Sequence, residues 1–339
     1  MKKLLFLLFL TSISSFAQQI QGRVLDENNQ PLPGANIYFD GTTIAAIADS
    51  QENFSLEYSK KLNSILAISF IGYQTHFIKD VDNSTELVVV LKVAFDSLSV
   101  VVIKKDPFSR KQKMQLFRDY FLGKTKIAKN AKIENEDDIY FDYDEKSLVL
   151  SAFSNRSLII NNDELGYKIT YELVSFEAQL YRHGHFEVAI QNVSRSFYAG
   201  LTRFEEIASD EKISKLRERC YKGSMLHFFR NLANNSLVEN DFTLYKETLA
   251  VKPNEHFTIS DIDDSKRVQV KNQSKDLNKF SAVFNVFYTK KLQSKIIFQT
   301  DTLTIDKNGI NTNLRDIMFL GYMAEQKVGE MLPINYGIQ

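Results

Sequence analysis

The stretch Gln30-Pro31-Leu32-Pro33-Gly34-Ala35-Asn36-Ile37 decides the fold of the first part of the chain. The two prolines fix φ and keep the backbone extended, and Gly34 permits the positive φ of a sharp turn. The apolar residues that follow the turn predict a buried strand. None of the eight side chains is an acid, a base, a nucleophile or a strong metal ligand, so the stretch predicts structure rather than chemistry.

Short segments of alternating polar and apolar residues surround this stretch, between Gln19 and Leu91. Such alternation is the period of a strand with one buried face, and turn residues such as Asp40-Gly41 separate the segments. We predict an antiparallel β-sandwich without helices. The predicted strands are Ile20 to Val24, Ala35 to Phe39, Asn53 to Leu56, Ser64 to Phe70, Thr75 to Ile78 and Leu87 to Leu91.

The same segments resemble the carboxypeptidase regulatory-like domain in order and spacing. The matching motifs are Gly22 to Asp26, Pro31 to Ile37, Gly41-Thr42-Thr43, Asn53 to Leu56 and Ser69 to Tyr73. The resemblance implies a seven-stranded, transthyretin-like β-sandwich in an exported protein of the Bacteroidetes type, and it implies no catalytic residue. In TonB-dependent transporters of that group the same domain precedes a Leu-x-x-Val-Val-Val segment, which Ser97 to Val102 resembles.

The N-terminus has the features of a secretory signal peptide. Met1-Lys2-Lys3 is basic, Leu4 to Leu10 is apolar, and Ser15-Phe16-Ala17 offers small residues before a cut after Ala17. The apolar run is far shorter than the ~20 residues that span a bilayer. We expect residues 1–17 to be removed, and a mature chain without a transmembrane segment that is periplasmic or associated with the outer membrane.

The composition argues against nucleic acid as a partner and against stabilisation by a disulfide bond. The 339 residues carry 42 basic and 42 acidic side chains, which gives no support to nucleic acid as a partner. The single cysteine, Cys220, excludes an intramolecular disulfide. Its arginine neighbours leave two interpretations open, a reactive thiol of lowered pKa or a buried structural thiol.

The remaining chain divides into a basic connector, residues 96–132, and a larger β-rich domain, residues 133–339, after a sandwich of residues 18–95. In the connector, apolar residues at helical spacing predict an amphipathic helix from Ser109 to Leu122, which packs on the next domain and either docks on an anionic partner or presents a solvated face. The fold class is therefore mainly β, with two or three helices in the larger domain. Its helices are predicted at Asp210 to Leu232, broken near Gly223, and at Tyr322 to Met331, with further strands that include Tyr167 to Tyr181 and His185 to Val193.

Candidate metal ligands are few. A zinc peptidase needs two His and a Glu around an open metal position, and neither the HxxE pair nor an HExxH motif is present. His183, His185 and Glu187 would share one face of a strand and form a weak metal candidate. Gly184 between the two histidines favours a turn instead. We predict no cofactor.

The densest polar cluster of the larger domain contains our candidate binding residues: Arg219, Tyr221, Ser224, His227 and Arg230. Ser224 and His227 are helical neighbours at i,i+3, as are His227 and Arg230. The cluster is open to three interpretations: a nucleophile with its base, a grip on an anionic ligand, or a buried histidine among aromatic rings. No acidic orienter and no Gly-x-Ser-x-Gly motif accompanies it, so we assign no catalytic residue.

These observations favour an exported, non-enzymatic cell-envelope protein that binds or scaffolds a protein, a peptide or a glycan. The first alternative is an envelope hydrolase with a site built around Ser224, His227 and Arg230. The second is an accessory partner of a TonB-dependent outer-membrane transporter. Four segments of the remaining chain also resemble an uncharacterised region that follows the regulatory-like domain in exported Bacteroidetes proteins: Phe121 to Gly123, Leu158 to Ile169, Arg219 to Arg230 and Gly321 to Glu325. That resemblance implies no activity.

Overall fold

The computed structural model describes residues 17–59, 64–79, 86–93, 106–184, 188–274, 276, 279–311, 313 and 315–338. The described residues form two compact units: 17–37 with those of 44–94, and 38–43 with those from 95 onward. The protein is mainly β, as the sequence predicts. Residues 1–16, which belong to the predicted signal peptide, and the segment Ser97 to Val102 lie outside the described residues.

Seven strands of the described residues up to 93 form two sheets, one of three strands in the order β4-β1-β7 and one of four in the order β3-β2-β5-β6. The seven-stranded β-sandwich is confirmed. Strand β1 pairs antiparallel with β4 but parallel with β7, so the purely antiparallel prediction was wrong for this edge. The strands are β1 Ala17–Asp26, β2 Asn36–Phe39, β3 Ala45–Ile47, β4 Asn53–Ser59, β5 Leu66–Ser69, β6 His76–Ile78 and β7 Leu87–Leu91.

Strand β1 shows why these residues form the sandwich. Ile20, Gly22 and Val24 are buried on one face, while the alternate residues Gln19 and Gln21 are exposed and Arg23 is half-buried. Gly22 lies where β1 meets β7, since a Cβ at this position would come within 2.1 Å of the Leu87 carbonyl oxygen. The period of two in the sequence therefore places the apolar face inward, and the glycine permits the close approach of the parallel edge strand.

The second unit opens with two helices and a six-stranded sheet in which β8, β11, β12, β10 and β9 follow one another and β13 pairs with β12. The helix predicted from Ser109 to Leu122 is present, and a capping box of Ser109 and Gln112, which was not predicted, starts it. Phe117 and Phe121 of this helix stack at 4.7 Å within the core against the sheet. The elements are α1 Arg110–Phe121, α2 Lys126–Asn130, β8 Lys132–Ile133, β9 Ile139–Asp144, β10 Val149–Ser154, β11 Leu158–Asn162, β12 Tyr167–Leu180 and β13 Val193–Glu206.

The sequence pattern misplaced one strand of this sheet. The prediction of a strand from His185 to Val193 was wrong in its described part, because residues 188–192 form a turn in which the Asn192 amide donates to the Ala189 carbonyl at 3.0 Å. Strand β13 follows instead, and the prediction missed it. Most of its side chains are half-buried, so it lacks the clean alternation by which a strand is recognised.

A second core lies between two further sheets, with strand orders β15-β14-β18-β19-β21 and β16-β17-β20. Phe228 and Phe229 of one helix are fully buried in this core. The elements are α3 Glu211–Tyr221, α4 Met225–Ala233, β14 Phe242–Lys246, β15 Leu249–Val251, β16 Phe257–Ile262, β17 Ser265–Val270, β18 Ala282–Tyr288, β19 Leu292–Phe298, β20 Thr302–Asp306, β21 Ile317–Gly321 and α5 Tyr322–Glu325, with 3-10 turns at Glu136–Asp138, Pro253–Glu255 and Val328–Glu330.

The two helix predictions in this region had different outcomes. The break near Gly223 is confirmed, because α3 ends at Tyr221 and α4 begins at Met225. The helix from Tyr322 to Met331 was too long, since α5 ends at Glu325 and a 3-10 turn follows. The Gln326 side chain donates to the Cys220 carbonyl oxygen at 2.8 Å, which holds the chain at the point where it leaves the helical path.

Candidate functional site

A corner between α3 and α4 holds two of the predicted site residues. Ser224 is the N-cap of α4, and its Oγ accepts a hydrogen bond from the His227 backbone amide at 3.1 Å. The imidazole Nδ1 of His227 in turn accepts from the Gly223 amide at 3.1 Å. The Ser224 hydroxyl therefore meets the backbone of His227 rather than its imidazole, which is not the arrangement of a nucleophile beside its base.

His227 is buried among aromatic rings. Its side chain packs on Tyr221, Phe242 and Tyr288 with ring centroids 4.8, 5.0 and 5.4 Å away, and the residue is 8% exposed. Burial, assisted by the charges of Arg230 and Lys222, lowers the pKa of His227 to about 4. The imidazole is therefore neutral at neutral pH, with Nδ1 as acceptor and the proton on Nε2.

Arg230 uses its guanidinium to hold the C-terminal segment. It donates to the carbonyl oxygens of Asn308 at 2.8 Å, Ile334 at 2.6 Å and Tyr336 at 2.8 Å, and to the Tyr221 hydroxyl at 3.2 Å. Its donors are therefore engaged within the protein. Arg219 is exposed on α3, so the structure brings Tyr221, Ser224, His227 and Arg230 together, while the charge of Arg219 acts on Glu330 and Cys220 and opposes the burial that raises the pKa of each.

The metal candidate is only partly described. His183 is exposed, and its ring centroid lies 6.2 Å from that of Tyr181. His185 and Glu187 lie outside the described residues. Within the part of the chain that the structure describes, no group of three or more His, Cys, Asp or Glu side chains is arranged to hold a metal ion.

A cavity of about 300 Å³ lies beside the α3–α4 corner, within the second unit. Tyr221 and Ser224 line it, so two of the predicted binding residues contact this space. Its volume is at the lower end of the ~300–1,000 Å³ found for ligand pockets. The apolar part of the wall consists mainly of Met225, Leu226, Phe229, Met331, Leu332 and Ile334.

Two residues of this wall, Gln326 and Glu330, each have one fully buried side-chain oxygen without a hydrogen-bond partner among the described residues. Gln326 is 8% exposed, and its Nε2 donates to the Cys220 carbonyl and to the Tyr322 hydroxyl, at 2.8 and 3.3 Å. Its Oε1 has no hydrogen-bond partner among the described residues, and neither has Oε2 of Glu330. Burial raises the pKa of Glu330, although a hydrogen bond with Thr125 opposes the shift.

One cation and one thiol complete the wall. The Nζ of Lys327 lies 5.5 Å from the ring centroid of Tyr198, and no residue in the described ranges forms an ion pair with it. Burial lowers the pKa of Lys327. Burial also raises the pKa of Cys220 to about 12, which favours a neutral structural thiol over a reactive one.

Sequence reasoning missed Gln326, Lys327 and Glu330. All three lie within the helix predicted from Tyr322 to Met331, where polar residues are ordinarily the solvated face. Only the break after Glu325 turns them toward the cavity. No spacing in the sequence signals this arrangement, because it depends on contacts with Cys220 and Tyr198, more than 100 residues away.

The first unit is a small β-sandwich domain of the regulatory-like type. The model of the CarboxypepD_reg-like domain matches residues 20–103. The chain is also 39% identical over 94 residues to the TonB-dependent receptor SusC of Bacteroides thetaiotaomicron, a match that spans 27% of this chain and 9% of that receptor. Both findings agree with the Bacteroidetes-type resemblance that the motifs indicate.

Two solved structures share low similarity with the chain. A type II cohesin–X-dockerin complex from Acetivibrio cellulolyticus is 17% identical, over 22% of this chain and 58% of that chain, with a TM-score of 0.20. A DUF3823 family protein from Bacteroides ovatus is 8% identical, over 86% and 99% of the two chains, with a TM-score of 0.18. At these TM-scores, neither structure supports a conclusion about the fold or the function of this chain. No helix among the described residues is long and apolar enough to cross a membrane.

Proposed function

We propose that this protein is an exported, non-enzymatic module of the cell envelope whose larger domain holds a small ligand, or one end of a peptide, in the cavity beside the α3–α4 corner. The largely apolar cavity, with Tyr221, Ser224 and Lys327 among its polar lining residues, carries the proposal. Burial of an apolar ligand against this wall would remove apolar surface from water, which supplies free energy of binding.

The binding part is tested with indole as a small apolar probe. The chain contains no tryptophan, so the fluorescence of added indole is observed without competing indole emission from the protein. We expect saturable binding at one site per chain. Leu226→Phe, which fills part of the cavity, should weaken binding at least tenfold, about 1.4 kcal/mol. Leu249→Phe changes a residue that is 73% exposed on β15 and serves as the matched control. Equal affinities of the two variants would contradict the site.

Export is tested by fractionation of cells that express the full chain. The signal-peptide features of residues 1–17 and the family of the first unit support an envelope location. We expect the mature protein to be found outside the cytoplasm with Gln18 as its first residue, established by intact-mass measurement. An Ala17→Arg variant should accumulate as the uncut precursor, because the cleavage site requires a small residue. Full-length protein confined to the cytoplasm would contradict the assignment.

The second candidate function is that of an accessory partner of a TonB-dependent transporter. The 39% identity to the receptor SusC favours it, although the match covers only 9% of that receptor. Purification of the tagged full chain from detergent-solubilised envelopes should then enrich one outer-membrane receptor over an unrelated tagged periplasmic protein. Absence of such enrichment in cross-linked and uncross-linked samples alike would contradict this role and leave the cavity proposal untouched.

A further inference from the structure

We propose that the free edge of β13, from Ser194 to Gly200, takes up an extended acidic segment of a partner protein as an added strand. The inference goes beyond the proposed function, because it concerns a backbone edge of the second unit and not the cavity. Three features carry it: open backbone groups along the edge, a short strand of this chain that pairs with the neighbouring part of the edge, and two arginines beside it.

Strand β13 is paired along one side only over most of its length. β12 pairs with the whole strand, and on the opposite side the described residues supply one bridge, between Thr42 and Arg203. No described residue hydrogen-bonds to the backbone of residues 196–200 from that side. Gly200 is half-buried, and its accessible surface is backbone because glycine has no side chain. This part of the edge therefore offers N–H and C=O groups to another chain.

The direction of these groups follows from Thr202. Its amide donates to Oδ1 of Asp40 and its carbonyl oxygen accepts from the Gly41 amide, both over 2.6 Å, so the backbone groups of Thr202 point away from β12. Backbone groups alternate in direction along a strand. The nearest bulge of this ladder lies on β12, so residues 196–202 of β13 continue without an extra residue. The backbone groups of the even-numbered residues in this range therefore point to the free edge.

A short segment of this chain already pairs with the neighbouring part of the edge. Thr42 lies opposite Arg203 in parallel orientation, and the Phe204 amide donates to the Thr42 carbonyl oxygen over 2.9 Å. The segment leaves the edge at Asp40, whose side chain, and not its backbone, accepts the next amide of β13. The edge thus accepts an extended chain, and a strand added at residues 194–200 would continue this pairing.

The side chains beside the edge predict the charge of the partner. Residues 196–202 contain neither proline nor a charged residue, two of the devices that protect an edge from pairing. Arg195 is exposed next to them, and the guanidinium carbon of Arg315 lies 4.1 Å from the ring centroid of Phe197. The ion pair of Arg315 with Glu177 is long, at 3.9 Å. Acidic side chains at alternate positions of an added strand would share the face of these arginines.

A second copy of this chain is a poorer occupant of the edge. It would bring the same arginines to the shared surface, and like charges across a strand pair are destabilising. A neutral segment would gain the backbone hydrogen bonds alone. Because backbone hydrogen bonds supply affinity whatever the sequence of the added strand, the arginines select an acidic segment.

Fluorescence anisotropy on the full mature chain tests the proposal with three labelled peptides. The first is Thr-Glu-Val-Glu-Val-Glu-Thr, in which glutamates alternate. In the second peptide lysine replaces each glutamate, and in the third every inner amide of the first sequence is N-methylated, which keeps the side chains and removes the strand donors. We expect the first peptide to bind saturably and the other two at least tenfold more weakly. Added salt should weaken the binding of the first peptide.

Two pairs of variants assign the binding to the edge. Ser196→Pro removes an amide that faces the free edge, where proline is tolerated, and Ser196→Ala keeps that amide and is the matched control. The proline variant should bind the glutamate peptide at least tenfold more weakly, and the alanine variant should bind it as the unmodified protein does. Arg195→Gln should reduce the preference for glutamate over lysine, and Arg267→Gln, at an exposed position on β17, is its control. If the proline variant fails to fold, the N-methylated peptide still decides.

Each outcome supports or overturns one part of the proposal. Equal binding of the N-methylated peptide overturns the added strand, and equal binding of the lysine peptide overturns the acidic partner. Absence of binding by all three peptides overturns the proposal as a whole. A dimer in solution that Ser196→Pro dissociates would make a second copy the occupant and would also overturn the acidic partner. Indole reports on the cavity separately, so the proposed function can fail while the edge proposal holds, and the reverse.

Discussion

The backbone amide of Gly223 donates a hydrogen bond to Nδ1 of His227, over a distance of 3.1 Å. The bond closes the corner between α3 and α4, since the donor lies in the connection and the acceptor is in the first turn of the second helix. Gly223 has a φ of 77°, and a Cβ at this position would lie 3.1 Å from Tyr288 and 3.2 Å from Leu292. The corner therefore requires both the backbone freedom of glycine and its small size.

Gly223→Ala should destabilise the protein by about 1–3 kcal/mol, because the alanine combines a positive φ with tight contacts. The free energy of unfolding in urea measures the effect. Gly337→Ala is the matched control, since Gly337 has a φ of 72° and open space around the position of a Cβ. Equal losses in the two variants would show that backbone strain alone, and not packing on Tyr288, explains the glycine.

His227 should make stability depend on pH. Its folded-state pKa of about 4 is below the ordinary value of 6.5, so folding favours the neutral form. The contribution of the neutral imidazole to the free energy of unfolding is fully present above pH 6.5, and it falls by on the order of 2 kcal/mol as the pH decreases toward 4. The test compares the unmodified protein with His227→Gln in urea at several pH values. The difference between the two curves should change over this window, and parallel curves would contradict the assignment.

Asp40 should act in the opposite direction. The Thr202 amide donates to its Oδ1 at 2.6 Å, yet burial dominates and raises the pKa of Asp40 from 3.8 to about 6. Folding therefore favours the protonated carboxyl, whose stabilisation is fully present below pH 3.8 and is lost as the pH increases through 6. Between pH 4 and pH 7, the free energy of unfolding of Asp40→Asn should rise relative to that of the unmodified protein by on the order of 2 kcal/mol. A gain that does not vary with pH would rule out this titration.

Arg230→Met should destabilise the second unit by about 2–4 kcal/mol, because it leaves the carbonyl oxygens of Asn308, Ile334 and Tyr336 without their charged donor. Hydrogen exchange should show faster exchange in residues 328–338. Arg219→Met is the matched control, since Arg219 is exposed and should change stability by less than about 0.5 kcal/mol. Similar exchange rates in the two variants would contradict the role of Arg230 in holding the C-terminal segment.

The sequence predicted most of the sandwich but only part of the corner between α3 and α4. The motif around Pro31 to Gly34 and the alternation in β1 are local signals of the kind that predicted six of the seven strands of the first unit and its resemblance to the regulatory-like domain, whereas the three-residue strand β3 was missed. The break near Gly223 was also local, because glycine interrupts a helical pattern. The consequences of that break were not predictable, since the acceptor role of His227 depends on how α4 packs against Tyr221, Phe242 and Tyr288.

The sequence by itself determined the β class, the position of the regulatory-like sandwich and the α1 helix, because periodicity, caps and turn residues act over short stretches of chain. Tertiary structure alone decided which polar groups share the cavity. Gln326 and Lys327 reach it because α5 ends early and the chain is held by distant partners in α3 and β13. Burial then sets their chemistry, and no local pattern records how deeply a side chain is buried.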